Sequence, residues 1–349
     1  MEIPVIYKKL PGTFWAISAY FNPTQSKIFL RNYHIFRNSS KKQGLNLMTV
    51  ELAFNNSPFE LNKEDADILI QVRGNSVMYQ KDRLFNIGLK NLPLDCDKVA
   101  WIDADIVFNN TNWINDASGL LEKYNLLQLF DYVVWLKKDQ DFASASKARE
   151  GWGEGKKSKG LAYAYVTSDR RGGRPGFAWA ARREILEGLG FYDRDVVGGA
   201  RFQDALNLDF KSRLNKDYIV SGLNLKKSEK TVLEWAQKMH SKIKNSFYYV
   251  NGSILHLYHG PLRNRAWTIK TRIMDSGDFD PYKDIKLNSE SCWEWATNKP
   301  KFHKDVKNFF IYKNPDSKIA LGIYLFFLVY LQAILRRIYS LLKRPFFKS

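Results

Sequence analysis

Apolar and polar positions along the chain alternate in blocks that change period from strand to helix and back. An apolar stretch from Phe14 to Tyr20 ends at Asn22-Pro23, and Phe29, Tyr33 and Phe36 then recur on one helical face. Leu47 to Phe54 reads as a second strand and Asp67 to Val72 as a third. The turn residues Arg73-Gly74-Asn75-Ser76 lead into a helix from Tyr79 to Leu89, closed by Pro93, and Val99-Ala100-Trp101-Ile102 follows as a fully apolar strand. Strands that alternate with helices at these intervals predict an α/β domain with a mostly parallel central sheet covered by helices on both faces. In such a sheet ligands bind beyond the carboxyl ends of the strands.

From Lys137 to Pro175 the pattern changes to glycines interspersed with Lys and Arg, so residues 139–175 are predicted to form a mobile basic loop, either a lid over an anionic ligand or a solvated insertion. Ile185 to Leu189 falls in a helix that ends at Gly190, and Lys226 to Phe247 is a second helix. Tyr248 to Leu257 reads as a hairpin with an Asn251-Gly252 turn. The most apolar run is Ile319 to Leu335. As a helix its roughly 17 residues span ~25 Å, marginal for the ~30 Å hydrocarbon core. Arg336, Arg337, Lys343, Arg344 and Lys348 follow among Leu and Phe residues, which predicts a helix lying in or dipping into an anionic leaflet; the alternative is a buried C-terminal core helix.

Composition sharpens this picture. A net charge of +18 calls for an acidic partner, whether nucleic acid, anionic lipid or a phosphate-bearing substrate, and the absence of zinc-finger spacing or an RNP-like motif argues against nucleic acid. Two distant cysteines, Cys96 and Cys292, suggest neither a disulfide framework nor a cysteine-built metal site. With no apolar signal region near Met1 and a glycosylation sequon at Asn109 beside the best site candidate, a cytoplasmic location is expected.

That candidate is Asp103-Ala104-Asp105. Asp-x-Asp spacing recurs elsewhere in the chain, but only this pair leaves a fully apolar strand and precedes a second apolar run. Two neighbouring carboxylates in a buried setting repel unless a cation intervenes, so Mg²⁺ or Mn²⁺ bridging them to a diphosphate is the functional reading and an Asp-capped turn the structural one. Late in the chain His256 and His259, two of five histidines, end a strand three residues apart and are suitable ligands for Mn²⁺; Arg263, Arg265 and Arg272 follow, suited to diphosphate oxygens. An acceptor hydroxyl that attacks an anomeric carbon must lose a proton, and Asp204 is the carboxylate proposed to take it, unless it only caps a helix.

The segment around Asp103 and Asp105 resembles the Asp-x-Asp motif of the GT-A glycosyltransferases, which hold a nucleotide-sugar diphosphate through a divalent metal. Gly176 to Arg183, then Gly190-Phe191-Tyr192-Asp193, Gly198-Gly199 and Gln203-Asp204, resemble the second half of galactosyltransferase-type members, although Gln203 stands where that family has an acid. The resemblance covers about Phe14 to Arg272. It implies that Tyr20 and Asn22 receive the nucleotide base, that Arg73, Lys81, Arg83 and Asn86 approach nucleotide or sugar, and that Trp179 and Gln203 line the sugar and acceptor site. It also implies a metal set of Asp103, Asp105 and His256 or His259. The expected organisation is a GT-A domain over 1–272, an extension over 273–316 and a membrane-associating tail over 317–349. The expected activity is metal-dependent transfer of a sugar, with inversion, from a nucleotide-diphosphate sugar (UDP favoured) to a hydroxyl on a glycan or lipid-linked acceptor. The rivals are a non-catalytic carbohydrate- or membrane-binding protein of the same fold and a nucleotidyltransferase; for the latter, Tyr20-Phe21-Asn22-Pro23-Thr24 lacks a glycine-rich triphosphate loop.

Overall fold

The computed structural model describes residues 3–167, 173–199, 201–207, 226–260, 270, 272–274, 277–311 and 313–316. Strand β1 (Thr13–Phe21) leads into α1 (Lys27–Lys42), then β2 (Asn46–Phe54), β3 (Ile68–Gly74), α2 (Lys81–Asn91) and β4 (Cys96–Ile102). Next come β5 (Ile106–Phe108), α3 (Trp113–Leu121), β6 (Leu126–Gln128), β7 (Tyr132–Trp135), β8 (Arg149–Glu150), β9 (Lys156–Lys159), α4 (Leu161–Val166), β10 (Ala178–Arg182) and α5 (Arg183–Leu186). The chain continues through α6 (Arg201–Asn207), α7 (Lys226–Ile243), β11 (Phe247–Tyr249), β12 (Ile254–His256), β13 (Ile285–Leu287), β14 (Trp293–Trp295) and α8 (Pro300–Ile311).

The described strands of the main sheet run in the order β11-β6-β10-β4-β1-β2-β3. β1, β2, β3 and β4 are mutually parallel, β11 is parallel to β6, and β10 alone runs antiparallel to both its neighbours. β2 and β4 are almost wholly buried, as their continuous apolar runs require of strands covered on both faces. α1 is capped by the Ser26 hydroxyl, which accepts from the Phe29 amide, and it buries Tyr33 and Phe36 in the period read from sequence. α2 lies close on β1 because Gly88 has no Cβ; one placed there would come within 2.5 Å of Ile17. The result is a mixed α/β architecture with a mostly parallel main sheet.

A second sheet, β5-β12-β7-β9-β8, stands at the carboxyl end of β4. It corrects two expectations. The segment from Tyr248 to Leu257 is not a hairpin: β11 pairs with β6 in the main sheet, while β12 pairs with β5 and β7 in the second. The Asn251-Gly252 turn, with Gly252 at φ 122°, therefore carries the chain between sheets. The basic stretch read as a loop contains β8, β9 and α4, and β9 pairs antiparallel with β7. Backbone pairing needs no apolar side chains, and lysine-rich strands are suited to a sheet edge, where their charge discourages further pairing. The helix expected to reach Phe247 stops at Ile243, and the one expected over Ile185 to Leu189 is the single turn α5.

Residues 277–311 fold back on the main domain. The Gln80 side chain bonds both the amide and the carbonyl of Trp293, Arg83 reaches the Ser291 carbonyl, and Glu290 accepts from the Arg73 amide. Met78, Val196 and Val197 join Phe279, Ile285, Trp293, Phe302, Val306 and Phe309 in one apolar cluster. Among the described residues no helix is long and apolar enough to cross a membrane, and the run Ile319 to Leu335 lies outside them.

Candidate functional site

The ladder register brings the predicted ligands together. β4 ends at Ile102, the Asp103 amide donates to the Phe177 carbonyl at 2.7 Å, and three residues later the chain enters β5 of the other sheet. There β5 runs antiparallel to β12 with Ile106 opposite His256, and the Leu257 amide donates to the Asp105 carbonyl at 2.8 Å. Asp105 and His256 are thus neighbours by pairing, although 151 residues separate them in the chain. His259 reaches the same point from the turn after β12. Asp105 Oδ2 lies 3.5 Å from His256 Nε2 and 3.3 Å from His259 Nε2, and the two imidazole nitrogens are 3.3 Å apart. His256 is buried, its ring packed against Trp135 and Phe177, while His259 packs against Phe29.

These three side chains form a group able to hold a metal ion. Donors about 2.1 Å from a common ion are separated by about 3.0 Å in octahedral and about 3.4 Å in tetrahedral geometry. The measured spacing therefore fits one cation with little movement. Asp103, the other expected ligand, is not part of this group: its carboxylate accepts from Lys81 Nζ at 2.8 Å and lines the cleft beside the group. Burial works against the Lys81 ammonium, but Asp103 and then Asp82 prevail and raise its pKa above the ordinary lysine value.

The cluster opens on a cleft of about 300 Å³ at the carboxyl end of β1, walled by Tyr20, Phe21, Phe29, Lys81, Asp103 and Lys270 among others. Tyr20 donates to Glu60 at 2.7 Å, and burial together with that carboxylate pushes its phenol well above the usual range, so it stays neutral. Asn22 bonds Ser26 and Glu60 and shapes the turn under this wall without lining the cleft. A smaller cavity of about 70 Å³ shares Tyr79, Lys81 and Asp103 with the cleft and adds Asp82, Trp101, Trp179 and Arg201. Trp179 is buried in β10, its indole N–H donating to the Pro175 carbonyl, so one of its faces is available to that cavity.

Other sequence candidates are placed elsewhere. The Arg73 guanidinium donates to the carbonyls of Asn55 and Ser57 and stacks over Phe59, which ties down a loop away from the cleft. Asn86 bonds the backbone of Phe191 and the carboxylate of Asp193, and Arg83 bonds the same carboxylate; both fix the loop after α5. Arg272 is exposed and lines neither cavity. Asp204 is buried, paired with Arg201 at 3.0 Å, and also lines neither; Arg201 in turn grips Asp195 through two bonds. Burial raises the Asp204 pKa despite Arg201. Arg263, Arg265 and the Gln203 side chain lie outside the described residues.

Sequence reading missed Asp82. It occupies the first turn of α2, lines the small cavity and is hydrogen-bonded by Tyr79. Burial, opposed by Lys81 and reinforced by Asp195 and Asp193, raises its pKa from 3.8 to about 7. The available signal was a carboxylate beside Lys81 at the start of a helix that follows a strand end. Lys270, Phe310 and Lys313 also line the cleft; no motif marks Lys270, and Phe310 and Lys313 come from a segment beyond the region of resemblance.

The described residues thus define an α/β protein with a three-donor metal cluster beside a cleft at the switch between two sheets. No known protein family matches the sequence, nor does any curated protein. Solved structures do resemble it. A mycobacterial protein is 12% identical over 79% of this chain and 78% of its own, with a TM-score of 0.40. Glucosyl-3-phosphoglycerate synthase from Mycobacterium tuberculosis, solved with Mn²⁺, UDP and phosphoglyceric acid, is 14% identical over 82% and 87%, TM-score 0.38. TarS from S. aureus (residues 1–349) is 10% identical over 86% and 71%, TM-score 0.37. At these identities and TM-scores no residue role passes from those proteins to this one.

Proposed function

We propose that the protein is a glycosyltransferase that takes a sugar from a nucleotide-diphosphate sugar, UDP being the favoured carrier, and transfers it to a hydroxyl acceptor. The observation that carries this reading is the Asp105–His256–His259 cluster opening on a cleft whose walls combine aromatic side chains with lysines. Two imidazoles beside a carboxylate favour Mn²⁺ over Mg²⁺, which prefers oxygen ligands. When bound, the ion would supply positive charge to the leaving diphosphate. Lys81 and Lys270 add further positive charge along the cleft, and Phe21 and Phe29 offer apolar surface to the nucleoside. Asp82, in the adjoining cavity and with a pKa near neutrality, is suited to accept the proton of the attacking hydroxyl; Asp204, bonded to Arg201, is less so. Direct attack of this kind inverts the anomeric centre.

A glycan or lipid-linked acceptor and attachment of residues 317–349 to an anionic membrane surface on the cytoplasmic side complete the proposal, supported by the net charge of +18 and the basic-apolar tail. Removal of 317–349 is expected to abolish sedimentation with anionic vesicles, and undiminished sedimentation would exclude the tail as anchor. The main test is UDP release from a panel of UDP-sugars with Mn²⁺, wild type against Asp105→Ala. Turnover that the substitution leaves unchanged in a folded protein would sink the metal assignment.

A further inference from the structure

Phe310 and Lys313 belong to the C-terminal extension, outside the strand-helix domain that carries the metal cluster, yet both line its cleft, as does Lys270. The extension is firmly placed. α8 buries Phe302, Val306 and Phe309 in the apolar cluster shared with Met78, Val196 and Val197. Phe310, the next position, presents its ring edge to Phe21 at the end of β1, with centroids 6.5 Å apart. The Lys313 ammonium lies 4.1 Å from the centroid of the Phe309 ring, which orients its stem. Beyond it the Asp316 carboxylate accepts from the Lys27 amide at 2.6 Å, at the first residue of α1. The extension therefore meets the end of β1 through Phe310 and the start of α1 through Asp316, with Phe310 and Lys313 lining the cleft.

Charge points the same way. Among the described residues that line the cleft, Lys81, Lys270 and Lys313 outnumber Asp103 and Asp105, and a bound divalent cation would add to that positive balance, which suits an anionic diphosphate.

We propose that the C-terminal extension forms the closing wall of the nucleotide site, with Phe310 packing against the nucleoside beside Phe21 and Lys313 pairing with the diphosphate. This rests on the nucleotide-sugar reading above and assigns part of its donor recognition to a segment outside the GT-A resemblance. The test uses the full chain with Mn²⁺, titrated with UDP by calorimetry and with uridine by ligand-observed NMR. Lys313→Ala is expected to weaken UDP about tenfold and to leave uridine unchanged. Phe310→Ala is expected to weaken both ligands by a similar factor, and Phe310→Tyr to restore them. If Phe310→Ala proves unstable, Phe310→Leu and Lys313→Ala carry the test. Wild-type binding that neither position alters overturns the proposal alone. No UDP binding by wild type, with Asp105→Ala indistinguishable from it, overturns the nucleotide reading and this proposal together.

Discussion

Asp82→Asn should make the protein more stable at alkaline pH while removing its activity. The carboxyl is desolvated beside Asp195 and Asp193, and the neighbouring Lys81 and the Tyr79 hydrogen bond offset only part of that cost, so its pKa stands at about 7 instead of 3.8. A folded pKa above the unfolded value means that the native state binds the proton more tightly. The stability that proton supplies is whole below about pH 4 and is lost progressively as pH rises through 7. The difference corresponds to a ceiling of about 4 kcal/mol at pH 8.5, from about 1.36 kcal/mol per pKa unit. Asparagine keeps the shape and can still accept from Tyr79, but it carries no charge to desolvate. Urea unfolding of both proteins at pH 4 and pH 8.5 is the assay: the variant should equal wild type at pH 4 and exceed it by about 2–4 kcal/mol at pH 8.5. If Asp82 is the proton acceptor, wild-type UDP release should rise about tenfold per pH unit below 7, and the variant should be slower by about 10²–10⁴. A stability difference that does not change with pH would refute the electrostatic reasoning; a variant that turns over at the wild-type rate would refute the assignment of the base.

Other outcomes follow from the same geometry. His259→Ala, at a half-buried position, should lower Mn²⁺ affinity at least about tenfold in calorimetry with little change of melting temperature in chelator, and unchanged affinity would remove His259 from the cluster. Arg201→Met leaves Asp195 and Asp204 buried without their shared cation and should cost about 3–5 kcal/mol in urea unfolding, most of it recovered when Asp195→Asn and Asp204→Asn are added. At Gly277 an added Cβ would come within 2.1 Å of the Phe302 ring, so Gly277→Ala should destabilise by about 1–3 kcal/mol and loosen α8; a neutral effect in thermal unfolding would mean that α8 is less tightly seated than described.

Much of the fold was legible because the central strands are rich in apolar residues: β1, β2, β3 and β4 stand within two or three residues of the runs that predicted them. Asp105, His256 and His259 were legible because each lies at the end of such a run. Their grouping was not, since it depends on β5 pairing with β12, a contact between distant segments that local periodicity does not encode. The same cause defeated the hairpin reading: an Asn-Gly turn fixes a reversal of the chain but not which sheet receives the outgoing strand. Arg73, Asn86 and Asp204 make structural bonds, and sequence alone does not separate such groups near strand ends from ligand-binding ones. Asp82 was passed over because its character comes from burial in the folded protein, reinforced by Asp195 and Asp193 more than a hundred positions away.

Asp105 sits just before β5, at one of the steps where the chain passes from the main sheet into the second, and the imidazoles it meets lie at the end of β12 and in the turn after it. An ion held there would clamp β5 to β12, two strands far apart in the chain, so its chemical potential would govern architecture as well as reaction. At one hundred times its dissociation constant such a clamp adds about 2.7 kcal/mol against separation of the two strands. Metal starvation would then show itself first as amide exchange along Ile106–Phe108 and Ile254–His256, ahead of any general unfolding.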